Sequence, residues 1–182
     1  MAQDNLDLLP SANALSKGLS QLLMTSPKVE GPEKLVNFKL NQVARRSGGM
    51  FIATLHRNVQ DDEEVIGWMG VGVRMAIATG GMMVGAPAVS DKVANVEVSD
   101  LALDAARETL NVATVYFNEE LEQKGWEYGI RVGNARQLAP NELKGAGVDA
   151  DSFTIGGVYV ITLPEIDALG KRGGSLMIAF KN

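Results

Sequence analysis

Hydrophobic and polar positions divide this chain into tracts of two different periods. In SANALSKGLSQLLM (11–24), Leu15, Leu19, Leu22 and Leu23 recur at helical spacing, and Ser11 or Asn13 can cap the start. Two prolines and a glycine in TSPKVEGPE (25–33) end that helix. The period then falls to two in KLVNFKLNQVA (34–44), where Val36, Phe38 and Leu40 share one side of a strand. RRSGG (45–49) reads as a turn, MFIATLHRNVQ (50–60) as a strand, DDEE (61–64) as a charged turn and VIGWMGVGV (65–73) as a further strand. The short connections predict an antiparallel meander of these three. RMAIATGGMMVGAP (74–87) predicts a short apolar helix ending near Gly85 and Pro87. Its Gly80-Gly81 pair costs about 1 kcal/mol per glycine relative to alanine, so it either permits close packing or splits the segment.

The longest helical pattern runs from about Ser99 to Lys124, with Ser99 or Asp100 as cap and Gly125 as stop. Leu103, Ala106, Leu110, Ala113, Phe117 and Leu121 form its apolar stripe. Asp100, Asp104, Arg107, Glu108, Asn111, Thr114, Asn118 and Glu122 form its polar one. Beyond it, WEYGIRVGNARQL (126–138) alternates as a strand in its first half, and APNELKGAGVDAD (139–151) has loop composition. SFTIGGVYVITL (152–163) and SLMIAFK (175–181) are strands on either side of PEIDALGKRGG (164–174), a turn or short helix. Gly156-Gly157 signals a bulge or a close backbone approach. Trp68 and Trp126 are expected to pack within strands, and Met75, Met82 and Met83 to fill core gaps. This order predicts an α+β fold, a mainly antiparallel sheet with the long amphipathic helix and shorter helices packed on it. A single domain over 1–182 is expected, with residues 1–10 as a frayed tail.

Composition narrows the chemistry. The chain has 182 residues, 46% hydrophobic and 21% charged, so it can bury a core in which aliphatic residues and methionine dominate the 5% of aromatics. A net charge of −5 and the lack of a basic patch argue against nucleic acid. The paired basic residues Arg45-Arg46 and Lys171-Arg172 read as loop tips. Cysteine is absent, which removes disulfides and thiolate metal sites. No signal-peptide pattern and no membrane-spanning apolar run are expected, so the cytoplasm is the simplest address.

His56 is the single histidine, and a surface or half-buried place suits it better than a metal site or a Ser-His-Asp triad. In GVGVRMAIATGG, Met75 stands where a dinucleotide-binding G-x-G-x-x-G needs its third glycine. The acidic cluster 61–64 reads as a solvated hairpin turn. DAARETLN (104–111) remains. Asp104, Glu108 and Asn111 stand above one another on a helix. A carboxylate there can pair with a partner's cation, and an amide one turn away can hold a water in a chosen direction. Such positioning suits hydrolysis of an already activated phosphoryl group.

At these residues the chain resembles the CheC/CheX family of chemotaxis phosphatases. Their active helix carries Asp or Ser, three residues, Glu, two residues, Asn, matched by Asp104, Glu108 and Asn111. The resemblance covers residues 65–182 at most. It implies hydrolysis of the aspartyl phosphate of a CheY-like response regulator, with that phosphorylated receiver domain as partner. Glu108 would pair with a lysine of the regulator, Asn111 would hold the attacking water, and Asp104 would be supporting. The chain would need no cofactor of its own, since the Mg²⁺ belongs to the regulator. A homodimer through strand edges, as in CheX-like proteins, would also be consistent. The family pattern continues to a proline 21 or 22 residues past the asparagine. Val132 and Gly133 stand there instead, and the next proline is Pro140.

Two other readings stay open. The three polar residues also fit the solvated stripe of an ordinary amphipathic helix, although Asn is a poor choice for a merely wet helix face. The missing proline leaves room for a non-catalytic interaction or self-assembly module, as in flagellar-switch components of the same fold class. In the site reading, the small alanines of DAARETLN would let a partner approach closely.

Overall fold

Ser11 supplies the expected cap: its hydroxyl accepts from the Ala14 N–H at 3.2 Å, and α1 (Ala12–Leu23) follows. The computed structural model describes residues 9–60, 63–85, 100–138, 153–163 and 173–181. After α1 come β1 (Lys28–Phe38), α2 (Leu40–Arg46), β2 (Met50–Arg57), β3 (Val65–Gly72) and α3 (Val73–Met83). The long helix α4 (Asp100–Gln123) is followed by β4 (Ile130–Val132), β5 (Arg136–Gln137), β6 (Phe153–Thr162) and β7 (Gly174–Phe180). The fold is α+β with one seven-stranded sheet in the order β1-β6-β7-β3-β2-β4, β5 pairing with β2. Every pairing is antiparallel.

Helices α1, α3 and α4 cover one face of the sheet. Their apolar stripes meet Phe51, Leu55, Met69, Val71, Tyr159 and Ile178 in the larger core. On the opposite face, Leu40, Val43 and Ala44 of α2 pack with Met50, Ile52, Met177 and Ala179. Fully burying one such aliphatic or aromatic side chain contributes about 1.5–3 kcal/mol. Gly125, in the left-handed region at φ +79°, follows α4 as the stop signal required. No described helix is long and apolar enough to cross a membrane.

Several expectations change. The tract 34–44 is not one strand: β1 begins earlier, at Lys28, and Leu40 opens α2 on the other side of Lys39. Arg45 and Arg46 therefore end a helix rather than tip a loop. The meander is not formed either. Only β2 and β3 pair with each other, while β1 crosses to the far edge and pairs with β6. Local patterning cannot reveal that pairing, because it joins residues more than a hundred positions apart. Trp126 lies after α4 rather than in a strand, partly buried against the core. Met75 fills the core as expected, but Met83 is 44% exposed. His56 is buried rather than at the surface, with its Nε2 2.8 Å from Thr54 Oγ1. Of the expected frayed tail, residues 1–8 lie outside the described residues. Leu9 is buried and the Pro10 carbonyl accepts a hydrogen bond, so those two are docked.

The glycine pairs resolve to close approach. A Cβ on Gly80 would lie 3.2 Å from Leu101 Cγ and 3.5 Å from Ala105 Cβ, so the glycine lets α3 pack tightly on α4 and the helix continues through it. A Cβ on Gly157 would meet Pro32 Cβ at 2.8 Å, and one on Gly156 would overlap the Phe38 ring. The loop and turn assignments at 139–151 and 164–172, the Asp61–Asp62 half of the acidic turn and the Lys171-Arg172 pair lie outside the described residues.

The hydroxyl that holds Pro10 belongs to Tyr159, which donates at 2.6 Å from a buried position. Burial, and then the charge of Glu120, raise its pKa well above the ordinary tyrosine value. The folded pKa thus exceeds the unfolded one of about 10, and this contribution is complete below that pH and is lost as pH rises above it. Urea unfolding at about pH 8 and about pH 11 should show a smaller alkaline loss in Tyr159→Phe than in the parent protein, at a cost of about 1 kcal/mol at pH 8. An equal alkaline loss in both would refute this assignment.

Candidate functional site

The site is built on one helix whose two sides are pinned differently. On one side α4 lies against α3 near its start and against α1 further along, where Gly18 allows Tyr116 and Val112 to come close. The Ser11 hydroxyl and backbone N–H both donate to the Glu120 carboxylate, tying the start of α1 to the last turns of α4. On the other side stands the β4 edge of the sheet. Asn118 joins them: its Nδ2 donates to the Ile130 carbonyl at 2.9 Å, and its Oδ1 accepts from the Ile130 N–H at 2.7 Å. The amide completes both hydrogen-bonding groups of a buried edge residue, as a neighbouring strand would.

Between these supports the outer face of α4 is open. Asp104, Glu108 and Asn111 are all exposed, as the spacing requires. Glu108 and Asn111 are one turn apart, which puts their Cβ atoms about 5–6 Å from each other. Among the described residues neither makes a hydrogen bond or ion pair, so both are available to another molecule. Asp104 turns instead to Arg107, whose guanidinium lies 3.0 Å from its carboxylate. Both are exposed, so the pair contributes about 0.2–1 kcal/mol at most, but it directs the Arg107 side chain. Val115, one turn beyond Asn111, is 56% exposed and adds an apolar flank to the same face.

Two members of the polar stripe, Thr114 and Asn118, do not behave as a wet surface. Thr114 is buried, its hydroxyl donating to the Leu110 carbonyl at 2.7 Å, and Asn118 is the half-buried clamp just described. Ala105 and Ala106 are fully buried, so they pack inward and do not serve the approach of a partner. Thr109 is buried too and satisfies itself on the Ala105 carbonyl at 2.7 Å. The stripe is therefore interrupted: it is exposed around Glu108 and Asn111, turns inward at Thr114 and Asn118, and is exposed again at Glu122.

A feature that the sequence did not announce adjoins Asn111. An open cleft of about 390 Å³ runs between α4 and the strand edge, with Arg107 and Asn111 on one wall and Arg131, Gly133 and Asn134 on the other. Leu110, Val132 and Ala135 supply its apolar lining. Val132 and Gly133 are the positions at which the family pattern has its proline. Gly133 donates its N–H to the Thr54 carbonyl at 2.8 Å, and a Cβ there would overlap Thr54 Oγ1. A proline at 133 would lose that bond and collide, so in this chain the wall is held by strand pairing. Among the described residues no group of three His, Asp or Glu side chains is placed to hold a metal ion.

No protein-family model and no curated protein matches the sequence. Solved structures do match the fold. A FliM–SpeE complex from H. pylori aligns at TM-score 0.65 and 13% identity over 93% of this chain and 81% of that one. The CheX-CheY-BeF3-Mg+2 complex from Borrelia burgdorferi aligns at 0.57 and 13%, over 93% and 94%. A chemotactic CheC-like protein from Shewanella oneidensis aligns at 0.54 and 11%, over 97% and 98%. The expected correspondence was confined to residues 65–182, whereas these alignments cover 93–97% of the chain. The chain has the α+β fold of the CheC/CheX type, a fold that it also shares with FliM.

Proposed function

We propose that the chain is a phosphatase that hydrolyses the aspartyl phosphate of a response-regulator receiver domain. The observation that carries this reading is the exposure of Glu108 and Asn111, unpartnered among the described residues, one turn apart on a helix held rigid from both sides. The Glu108 carboxylate would pair with a lysine of the receiver and set the register of docking. Asn111 would then hold a water in line with the phosphorus, accepting from it with Oδ1 or donating to it with Nδ2. Neither group has to be a strong base, because the acyl phosphate is already activated and positioning dominates. The receiver supplies the Mg²⁺. The presence of CheY in the aligned CheX complex supports a receiver as partner.

The test follows the decay of a phosphorylated receiver domain with and without the protein. Acceleration is expected, and Glu108→Gln should lower kcat/KM by about tenfold or more, because the partner's lysine loses its counter-charge in the docked complex. No acceleration across a panel of phosphorylated receivers would sink the reading.

A second reading is favoured by the FliM alignment and by the absent proline: a non-catalytic module that binds a signalling or flagellar-switch partner. In that case the double change Glu108→Ala, Asn111→Ala leaves binding of the partner intact.

A further inference from the structure

We propose that the cleft beside Asn111 is an oxyanion site, through which inorganic phosphate leaves during turnover; its role as an exit rests on the phosphatase reading. The whole chain carries a charge of −5, yet every residue lining this cleft is cationic or neutral. Arg107 and Arg131, Asn111 and Asn134, and Gly133 line a space with room for an ion and part of its hydration shell, since a water occupies about 30 Å³. Arg107 gives one 3.0 Å contact to Asp104, which lies outside the lining, and a guanidinium has five N–H donors. Arg131 is anchored on the opposite wall by its strand and reaches Glu63 at 4.0 Å. Planar donors of this kind match phosphate oxygens better than a point charge does.

The order of side chains around the helix gives the site its direction. The helical period places Asn111 between Glu108 on one side and Arg107 on the other. The partner's lysine would be on the Glu108 side and the cleft on the Arg107 side. In the reaction the oxygen of the water held by Asn111 forms a bond to phosphorus. The bond from phosphorus to the aspartyl oxygen breaks with its electron pair, restoring the carboxylate. The products are HPO₄²⁻ and one proton released to solvent. The new oxygen of that phosphate is the one that Asn111 delivered, so the product is formed at the rim of the cleft. It can pass between Arg107 and Arg131 while the partner remains docked.

The free protein tests this without any receiver. Inorganic phosphate, titrated against sodium chloride at matched ionic strength, should give saturating NMR shifts at the Arg107 and Arg131 Nε–H groups and at the Gly133 and Asn134 amides. Affinity should fall about tenfold in Arg107→Gln and in Arg131→Gln. Arg107 is exposed, so its variant remains folded and decides the matter even if the other does not. Shifts that fail to saturate, that chloride reproduces, or that persist unchanged in Arg107→Gln overturn the proposal. Saturable binding in a protein that dephosphorylates no receiver would retain the oxyanion site and remove the phosphatase reading. Hydrolysis abolished by Asn111→Ala with no phosphate binding in the parent would do the reverse.

Discussion

Asn111→Ala is expected to reduce the acceleration of receiver dephosphorylation by about 100-fold or more while leaving the protein folded and able to dock. The side chain is exposed and bonds to nothing else among the described residues, so its removal costs little stability. What it removes is the direction of one water. Misplacing a reacting group by about 1 Å can cost about 100-fold, and alanine leaves the water with no holder at all. Docking depends on Glu108 and the surrounding surface, so KM should change little and kcat should carry the loss. Single-turnover decay of the phosphorylated receiver, with thermal unfolding as a control, measures both. Undiminished acceleration by the variant would remove Asn111 from the chemistry.

Asn118→Ala should produce the largest loss of stability among the polar residues of α4, on the order of 2–4 kcal/mol. The change strands the N–H and the carbonyl of Ile130, a residue only 1% exposed, and each stranded buried group costs about 1–3 kcal/mol. The effect should reach the cleft, because Ile130 begins the strand that contains Arg131 and runs directly into Gly133 and Asn134. Hydrogen exchange should quicken at Ile130 and its neighbours before it quickens in β3 or β7. Unfolding within about 0.5 kcal/mol of the parent protein would show that the clamp contributes little.

These two asparagines also mark how far the sequence can be read. Both stand in the polar stripe of the same helix, seven residues apart, and both are weak helix formers. The reason given for singling out Asn111 applies equally to Asn118. One is bare to solvent and the other is the bond between α4 and the sheet, a difference set by where Ile130 lies. Gly133 is similar. In sequence it is a departure from the family's proline, and in space it is a wall whose N–H is committed to Thr54. Arg131 could be read only as part of a strand, because nothing local indicates that its strand borders the candidate helix.

The amphipathic period of residues 100–123 alone determined that a long helix forms, that Phe117 and Leu121 enter the core, and that Asp104, Glu108 and Asn111 face outward together. These are local properties, set by 3.6 residues per turn and by the transfer of apolar side chains out of water. Tertiary structure decided that β1 pairs with β6, that Thr114 and Asn118 turn inward, and that two arginines 24 positions apart line one cleft. Each depends on segments distant in sequence meeting in one register, and register is settled by the packing of whole faces against each other.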